Sequence, residues 1–171
     1  TRRTTRTTRS RRPVVRLMRR TTASVEETRA VAADLAALTV AGDLIVLRGD
    51  LGAGKTAFVK GLVAALGSPD PVTSPTFTIA RRYDGGRLTV HHLDAYRLAG
   101  PEEAADLALD ELLDDDAVTV IEWGDRLRGI LPVDRLEIAI GFGAGDDDRE
   151  LELDAGGPGW ASRLRELEAM C

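Results

Sequence analysis

The chain of 171 residues is long enough for one domain with a substantial core, and 43% hydrophobic with 30% charged residues describe a soluble globular protein. No apolar run approaches the roughly 20 residues needed to span a bilayer, so no membrane association is expected. The single cysteine, Cys171, allows neither a disulfide framework nor a cysteine metal site, and a reducing, cytoplasmic compartment is expected.

The net charge of −5 conceals an asymmetry: residues 1–20 hold nine arginines and no acid, leaving 14 basic against 28 acidic residues in the rest. Thr1 to Arg20 is rich in Thr and Arg and nearly free of large apolar side chains. A disordered basic arm over residues 1–22 is therefore expected, followed by a globular domain over 23–171. Three roles fit the arm. It could bind nucleic acid, since clustered arginine neutralises phosphate. It could be a targeting segment, although it lacks the apolar stretch of a secretory signal. It could also be a dispensable extension upstream of a start at Met18, and its composition favours that reading.

Ser24 and Glu27 form a capping box, and apolar residues at 25, 31, 35 and 38 predict a helix over 24–38. Asp43 to Arg48 is an apolar strand. It runs into Gly49-Asp50-Leu51-Gly52-Ala53-Gly54-Lys55-Thr56, which fits Gly-x-x-x-x-Gly-Lys-[Ser/Thr]. Ala57 to Leu66 follows with helical spacing. Strand, glycine loop and helix are the parts of a phosphate cradle. Backbone N–H groups of Asp50, Leu51, Gly52, Ala53 and Gly54 can turn inward around phosphates, and the helix adds its positive dipole end. Lys55 would reach the β- and γ-phosphates, and the Thr56 hydroxyl would ligate Mg²⁺.

Two prolines make 67–71 a loop. Thr76 to Tyr83 and Arg87 to Leu93 read as strands joined by a hairpin turn at Asp84-Gly85-Gly86. A polar helix is predicted from Pro101 to Leu109, then a buried strand from Ala117 to Glu122. Arg135 to Phe142 alternates strictly, which predicts a strand with one face in water. A second strand spans Arg149 to Leu153. The intervening Gly143 to Asp148 is too short for a calcium loop and lacks its distal Glu, so it is a turn. A closing helix covers Trp160 to Met170. The expected class is α/β: a P-loop NTPase-like three-layer fold whose central sheet is mixed, parallel at the nucleotide strands and antiparallel at two hairpins.

Such a cradle needs an acidic partner for metal and water at the end of a neighbouring strand. Asp94 and Glu122 both end apolar strands, and ligands of open α/β sheets gather at the carboxyl ends of strands. Which of the two ligates metal and which orients water is left open. His92-Leu93-Asp94 resembles a kinase catalytic loop, but the position of its metal-binding asparagine is Ala99, and the chain has no asparagine. That absence also removes a guanine-reading motif, which leaves ATP as the nucleotide. Ser74-Pro75-Thr76-Phe77 carries hydroxyls that could contact a γ-phosphate or its metal. Tyr96-Arg97 could supply a positive contact, and Trp123 could stack on a base or pack in the core. A stand-alone small-molecule kinase is the alternative, although no arginine-rich lid is evident beyond Arg81 and Arg82.

Together, Gly49 to Thr56, Ser74-Pro75-Thr76-Phe77, His92-Leu93-Asp94-Ala95-Tyr96-Arg97 and Ile121-Glu122-Trp123 resemble the TsaE (YjeE) family in wording, order and spacing, over roughly Ser24 to Leu153. The resemblance implies an ATPase needed for threonylcarbamoyl-adenosine beside the tRNA anticodon, acting with TsaD and TsaB partners and weak when alone. Carried over, Lys55 and the loop amides would hold the phosphates, and Thr56 with Glu122 would hold Mg²⁺. Asp94 would orient metal or water, and Thr76 would lie near the γ-phosphate, making Lys55, Asp94 and Glu122 the catalytic set. The acidic body argues that contact with tRNA is indirect.

Overall fold

Leu44 to Leu47 is apolar on both faces, a pattern satisfied by a strand covered on both sides. The computed structural model describes residues 16–73, 80–99, 101–106, 109–113 and 116–170, and it gives this segment such a place. In chain order the elements are β1 (Arg16–Thr22), α1 (Val25–Leu38), β2 (Leu44–Arg48), α2 (Lys55–Ala65), β3 (Ala80–Tyr83) and β4 (Thr89–Asp94). Then come α3 (Pro101–Asp106), α4 (Leu109–Leu112), β5 (Ala117–Glu122), a 3₁₀ turn (Gly124–Leu127), β6 (Leu136–Phe142), β7 (Arg149–Ala155) and α5 (Pro158–Ala169).

The strands form one sheet in the order β1-β7-β6-β2-β5-β4-β3. The four central strands β6, β2, β5 and β4 are parallel. Antiparallel pairing of β7 with β6 and β1, and of β3 with β4, extends the sheet on both sides. Ile45 and Leu47 face a cluster that contains Leu35, Phe58, Leu62 and Leu164, so α1, α2 and α5 cover that side. Leu44 and Val46 face Leu98, Leu109, Leu127 and Leu131 on the other side, under α3, α4 and the 3₁₀ turn. The expected three-layer α/β fold with a mixed sheet is the observed one. Among the described residues no helix is long and apolar enough to cross a membrane.

Local chemistry explains the elements. Ser24 caps α1 by accepting from the Glu27 N–H at 3.1 Å, while the Glu27 carboxylate accepts from the Ala23 N–H at 2.7 Å. At the other end of the chain, Arg163 donates to both carboxylate oxygens of Asp43 and to the Leu38 carbonyl, which fastens α5 to the entry of β2.

The expected basic arm needs correction over its last seven residues. Arg16 to Thr22 is the edge strand β1, paired with β7 from Arg16↔Ala155 to Thr22↔Arg149. Met18 and Thr22 point inward and are buried, whereas Leu17, Arg19 and Thr21 are exposed. The arginines meet partners placed far along the chain, two of them acids. Arg19 bonds Glu152 at 3.0 Å, Arg16 pairs with Glu168, and Arg20 donates to the Leu167 carbonyl. Residues 1–15 lie outside the described residues.

The expected water-facing side of β6 needs correction at its start. Glu137 is only 5% exposed, whereas Ala139 is partly buried and Gly141 exposed further along the same side. The buried Arg135 guanidinium reaches Glu137 at 2.7 Å and Arg128 reaches it at 3.0 Å, so an ion pair occupies a position that the alternation assigned to solvent. The remaining strand and helix boundaries agree to within a few residues. The first part of the predicted strand 76–83 falls outside the described residues, and the predicted helix 101–109 is seen as α3 with Leu109 opening α4.

One close approach fixes the loop after β2. Gly49 adopts φ +152°, and a Cβ there would lie 2.3 Å from the Ile140 carbonyl oxygen of β6. Gly49→Ala should therefore destabilise by at least about 2 kcal/mol, since backbone strain and a clash with fixed main chain add. Gly129 has open space and no positive φ, so Gly129→Ala should stay within about 0.5 kcal/mol. Urea unfolding of the two variants distinguishes them, and equal midpoints would contradict the assignment.

Candidate active site

Parallel pairing brings the carboxyl ends of β2, β5 and β4 to one edge of the sheet. Strand alternation then decides which side chains share a face. Val118 and Val120 lie in the α2-side cluster, so Glu122 continues that face. Val90 lies there too, which puts His92 and Asp94 on the same side. In the register, Asp94 stands directly opposite Glu122. Both carboxylates proposed from sequence are thereby brought together beneath the start of α2.

The glycine loop closes the site from above. Gly54 caps α2 with φ +111°, a conformation that would strain any residue with a Cβ. The Lys55 ammonium donates to the carbonyls of Gly49 at 2.6 Å and Asp50 at 2.9 Å, and it sits 4.0 Å from the centroid of the Trp123 ring. Burial lowers the Lys55 pKa, against the attraction of Glu122, Asp94, Asp50 and Asp125. Asp50, Leu51 and Gly52 are exposed at the loop tip. Ala53 is buried, with its N–H bonded to the Asp50 carbonyl at 3.0 Å.

Thr56, in the first turn of α2, donates its hydroxyl to Glu122, with Oγ1 at 3.1 Å from Oε1 and 3.3 Å from Oε2. His92 lies on the other flank of that carboxylate, Nε2 2.8 Å from Oε1. A carboxylate accepts only, so His92 donates through Nε2. Its ring is fully buried, and among the described residues Nδ1 has no hydrogen-bond partner. Asp94 Oδ1 accepts from the Tyr96 N–H at 2.9 Å, a tight turn that fixes the carboxylate at the strand end. Burial raises the Asp94 pKa above the usual carboxylate value; the Tyr96 N–H opposes this and the Glu122 charge adds to it.

Neither the kinase-like triplet nor the His92 to Arg97 element of the resemblance assigns His92 a role of its own, and it emerges as the partner of Glu122. Its neighbour His91 points to the opposite face and contacts the Leu112 carbonyl at 3.0 Å. Trp123 is partly buried, at φ +59°, with its ring 5.0 Å from that of Tyr96. It thus lies against Lys55 as well as packing on the core beneath. Arg97 is exposed, and Arg126 instead leans on the Tyr96 ring, its guanidinium 5.4 Å from the centroid. Thr76 and the Ser74 to Phe77 segment lie outside the described residues.

A glycine loop between a buried parallel strand and a helix, with acids at the ends of adjoining strands, defines a P-loop NTPase-like protein. The family described as "Threonylcarbamoyl adenosine biosynthesis protein TsaE" matches residues 22–151. The chain belongs to this family, which places it in threonylcarbamoyl adenosine biosynthesis. The "tRNA threonylcarbamoyladenosine biosynthesis protein TsaE" of Bacillus subtilis is 43% identical over 146 residues, covering 85% of this chain and 90% of the relative. That of Streptomyces coelicolor is 45% identical over 136 residues, 75% of this chain and 90% of the relative. The crystal structure of Bacillus subtilis YdiB superposes with a TM-score of 0.77 at 37% identity, over 91% of this chain and 96% of that one.

The raised Asp94 pKa has a consequence for stability. A carboxyl whose folded pKa lies above its unfolded value contributes stability that is present below the unfolded value and lost as pH rises through the folded one. Asp94→Asn keeps the acceptor for the Tyr96 N–H and removes the charge. Without added nucleotide or metal, it should melt higher than the parent at neutral pH, and the gap should close as pH falls into the carboxylate range. Equal melting temperatures at neutral pH, or a gap that widens on acidification, would refute this.

Proposed function

We propose that the chain is an ATPase that binds ATP with Mg²⁺ in this cradle and hydrolyses it in support of threonylcarbamoyl-adenosine formation on tRNA, together with TsaD and TsaB partners. The observation that carries the reading is the placement of Thr56, Glu122 and Asp94 on one sheet face at the mouth of the Gly49 to Thr56 loop. The donor set suits Mg²⁺, since a hydroxyl and carboxylates are hard oxygen ligands. Among the described residues no group of three or more His, Cys, Asp or Glu side chains forms a metal cage. Mg²⁺ that keeps waters and relies on substrate phosphates needs none. Thr56 and Glu122 would hold it, and it would supply neutralisation of charge on the phosphates.

The chain's own residues divide the remaining work. Lys55 would leave the Gly49 and Asp50 carbonyls for the phosphate oxygens. Asp94, whose strand-end carboxylate is fixed by the Tyr96 N–H, is the better placed of the two acids to orient water, because Glu122 is already tied to Thr56 and His92. The acidic body beyond the first 20 residues would repel phosphate, so tRNA contact is assigned to the partners. The role would be cytoplasmic.

Lys55→Ala should abolish ATP binding in titration calorimetry, and an unchanged affinity would sink the cradle assignment. Asp94→Ala and Glu122→Ala should lower hydrolysis by roughly 100-fold or more while costing much less in nucleotide affinity. Wild-type rates in both variants would overturn the catalytic roles. Hydrolysis should be slow alone and rise on adding the TsaD–TsaB complex, and depletion in the host should remove threonylcarbamoyl-adenosine from tRNA, read by nucleoside mass spectrometry. Normal modification after depletion would refute the role.

A further inference from the structure

Strand alternation puts a third side chain on the sheet face that carries His92 and Glu122. Tyr83 of β3 lies in the α2-side cluster with its register partner Val90, two residues before His92 on β4. Tyr83 is therefore the diagonal neighbour of His92, whose direct partner on β3 is Arg81. The two rings stand 6.2 Å apart between centroids, their planes inclined by 32°. Both residues are buried, Tyr83 at 3% and His92 at 0% exposure.

Each ring carries a polar atom that the site's other contacts leave over. Among the described residues neither the Tyr83 hydroxyl nor His92 Nδ1 has a hydrogen-bond partner. Buried polar groups left in that condition are costly, and few persist in folded proteins. The two atoms are complementary. His92 donates to Glu122 through Nε2, so in the neutral imidazole Nδ1 is a lone pair in need of a donor. The Tyr83 hydroxyl has a proton to give, because burial raises its pKa. The Thr73 backbone and Arg81 oppose that shift, and the charges of Glu122 and Asp70 add to it.

We propose that Tyr83 donates to His92 Nδ1 through one buried water, which makes His92 a positioning residue for the Glu122 carboxylate. This rests on the reading of Glu122 as a ligand of the nucleotide's metal. The two atoms make no direct bond, and a water bridges such a pair nearly as well as contact does. The effect is on the tautomer. With Nδ1 engaged as acceptor, the single ring proton stays on Nε2 and faces Glu122 Oε1, 2.8 Å away. A proton on Nδ1 would instead turn a lone pair toward the carboxylate and repel it. The relay from Tyr83 through His92 to Glu122 thus crosses the adjoining strands β3, β4 and β5. Groups placed behind a metal ligand in this way set its orientation and its affinity.

The chain holds only two histidines, so nitrogen NMR of the imidazoles reads the relay in the full chain without nucleotide or metal. His91→Gln assigns the two rings. The parent should show His92 as one tautomer, protonated on Nε2. Tyr83→Phe should move the His92 Nδ1 resonance and admit the second tautomer, with His91 unchanged. It should also lower the melting temperature, whereas removal of a hydroxyl that bonds nothing would raise it. In calorimetric titration of the ATP-loaded chain, Tyr83→Phe and His92→Ala should weaken Mg²⁺ by roughly 10- to 100-fold. ATP affinity without metal should stay the same, and His92→Gln, whose amide can donate to Glu122, should restore most of the Mg²⁺ affinity. A parent protonated on Nδ1, or a Mg²⁺ affinity indifferent to both variants, would overturn the proposal. If the parent binds no ATP, the cradle reading falls and the metal role with it. If it binds ATP with Mg²⁺ and Tyr83→Phe alters neither spectrum nor metal affinity, only the relay falls.

Discussion

Glu122 is a carboxylate taken almost wholly out of water, 3% exposed at the end of a central strand, and much of the site depends on making that tolerable. An isolated charge in such a place is costly enough to unfold or neutralise. Here one oxygen receives His92 Nε2 at 2.8 Å, and the Thr56 hydroxyl lies within 3.3 Å of both oxygens. The Lys55 charge adds a further attraction, which works against the lowering of the Lys55 pKa by burial. These bonds join β4, β5 and α2, so the carboxylate is a crosslink between three elements as well as a candidate ligand. A fold that loses this cluster loses the alignment of the cradle with its acids.

The parts of the site that were legible in the sequence are those encoded within a few residues of one another. Gly49 to Thr56 declares its loop because glycines, lysine and threonine have fixed offsets and sit between a strand and a helix. Glu122 and Asp94 were found because each terminates an apolar run, and parallel pairing then brings such termini to one edge. His92 was not found, since its role depends on which face of β4 meets Glu122. Only the register between two strands decides that; the local sequence His91-His92 is symmetrical about the choice.

Two elements misled for different physical reasons. The strand β1 hides its period of two beneath arginine, and its charge partner Glu152 lies 133 residues beyond Arg19. Composition measured along the chain shows an unpackable segment, whereas the sheet supplies the acids and the hydrogen-bond ladder that let it pack. The strand β6 misled in the opposite sense. Its Glu137 made an alternating pattern that ordinarily marks a solvent face, but Arg135 is itself 2% exposed and compensates the charge inside. For β1 the missing information is a remote ionic partner, whereas for β6 the partner Arg135 stands two residues away and what the pattern does not show is that the pair is buried together.

The cradle carries its own internal substitute for a ligand. Lys55 spends its donors on two loop carbonyls and rests against Trp123, so under the proposed function an incoming phosphate would compete with existing contacts rather than with bulk water. The exchange would favour phosphate because charge-assisted bonds between ammonium and an anion are roughly twice as strong as bonds to neutral carbonyls. It is also inexpensive in order, since the glycine dihedrals, the Gly49–Ile140 contact and the Arg149–Ala53 bond already hold the loop in shape. Trp123 is held at positive φ against Tyr96 and beneath Lys55. Under the proposed function, departure of the ammonium toward phosphate would alter that one aromatic contact directly, and the contact joins the buried cradle to the exposed Tyr96 at its rim.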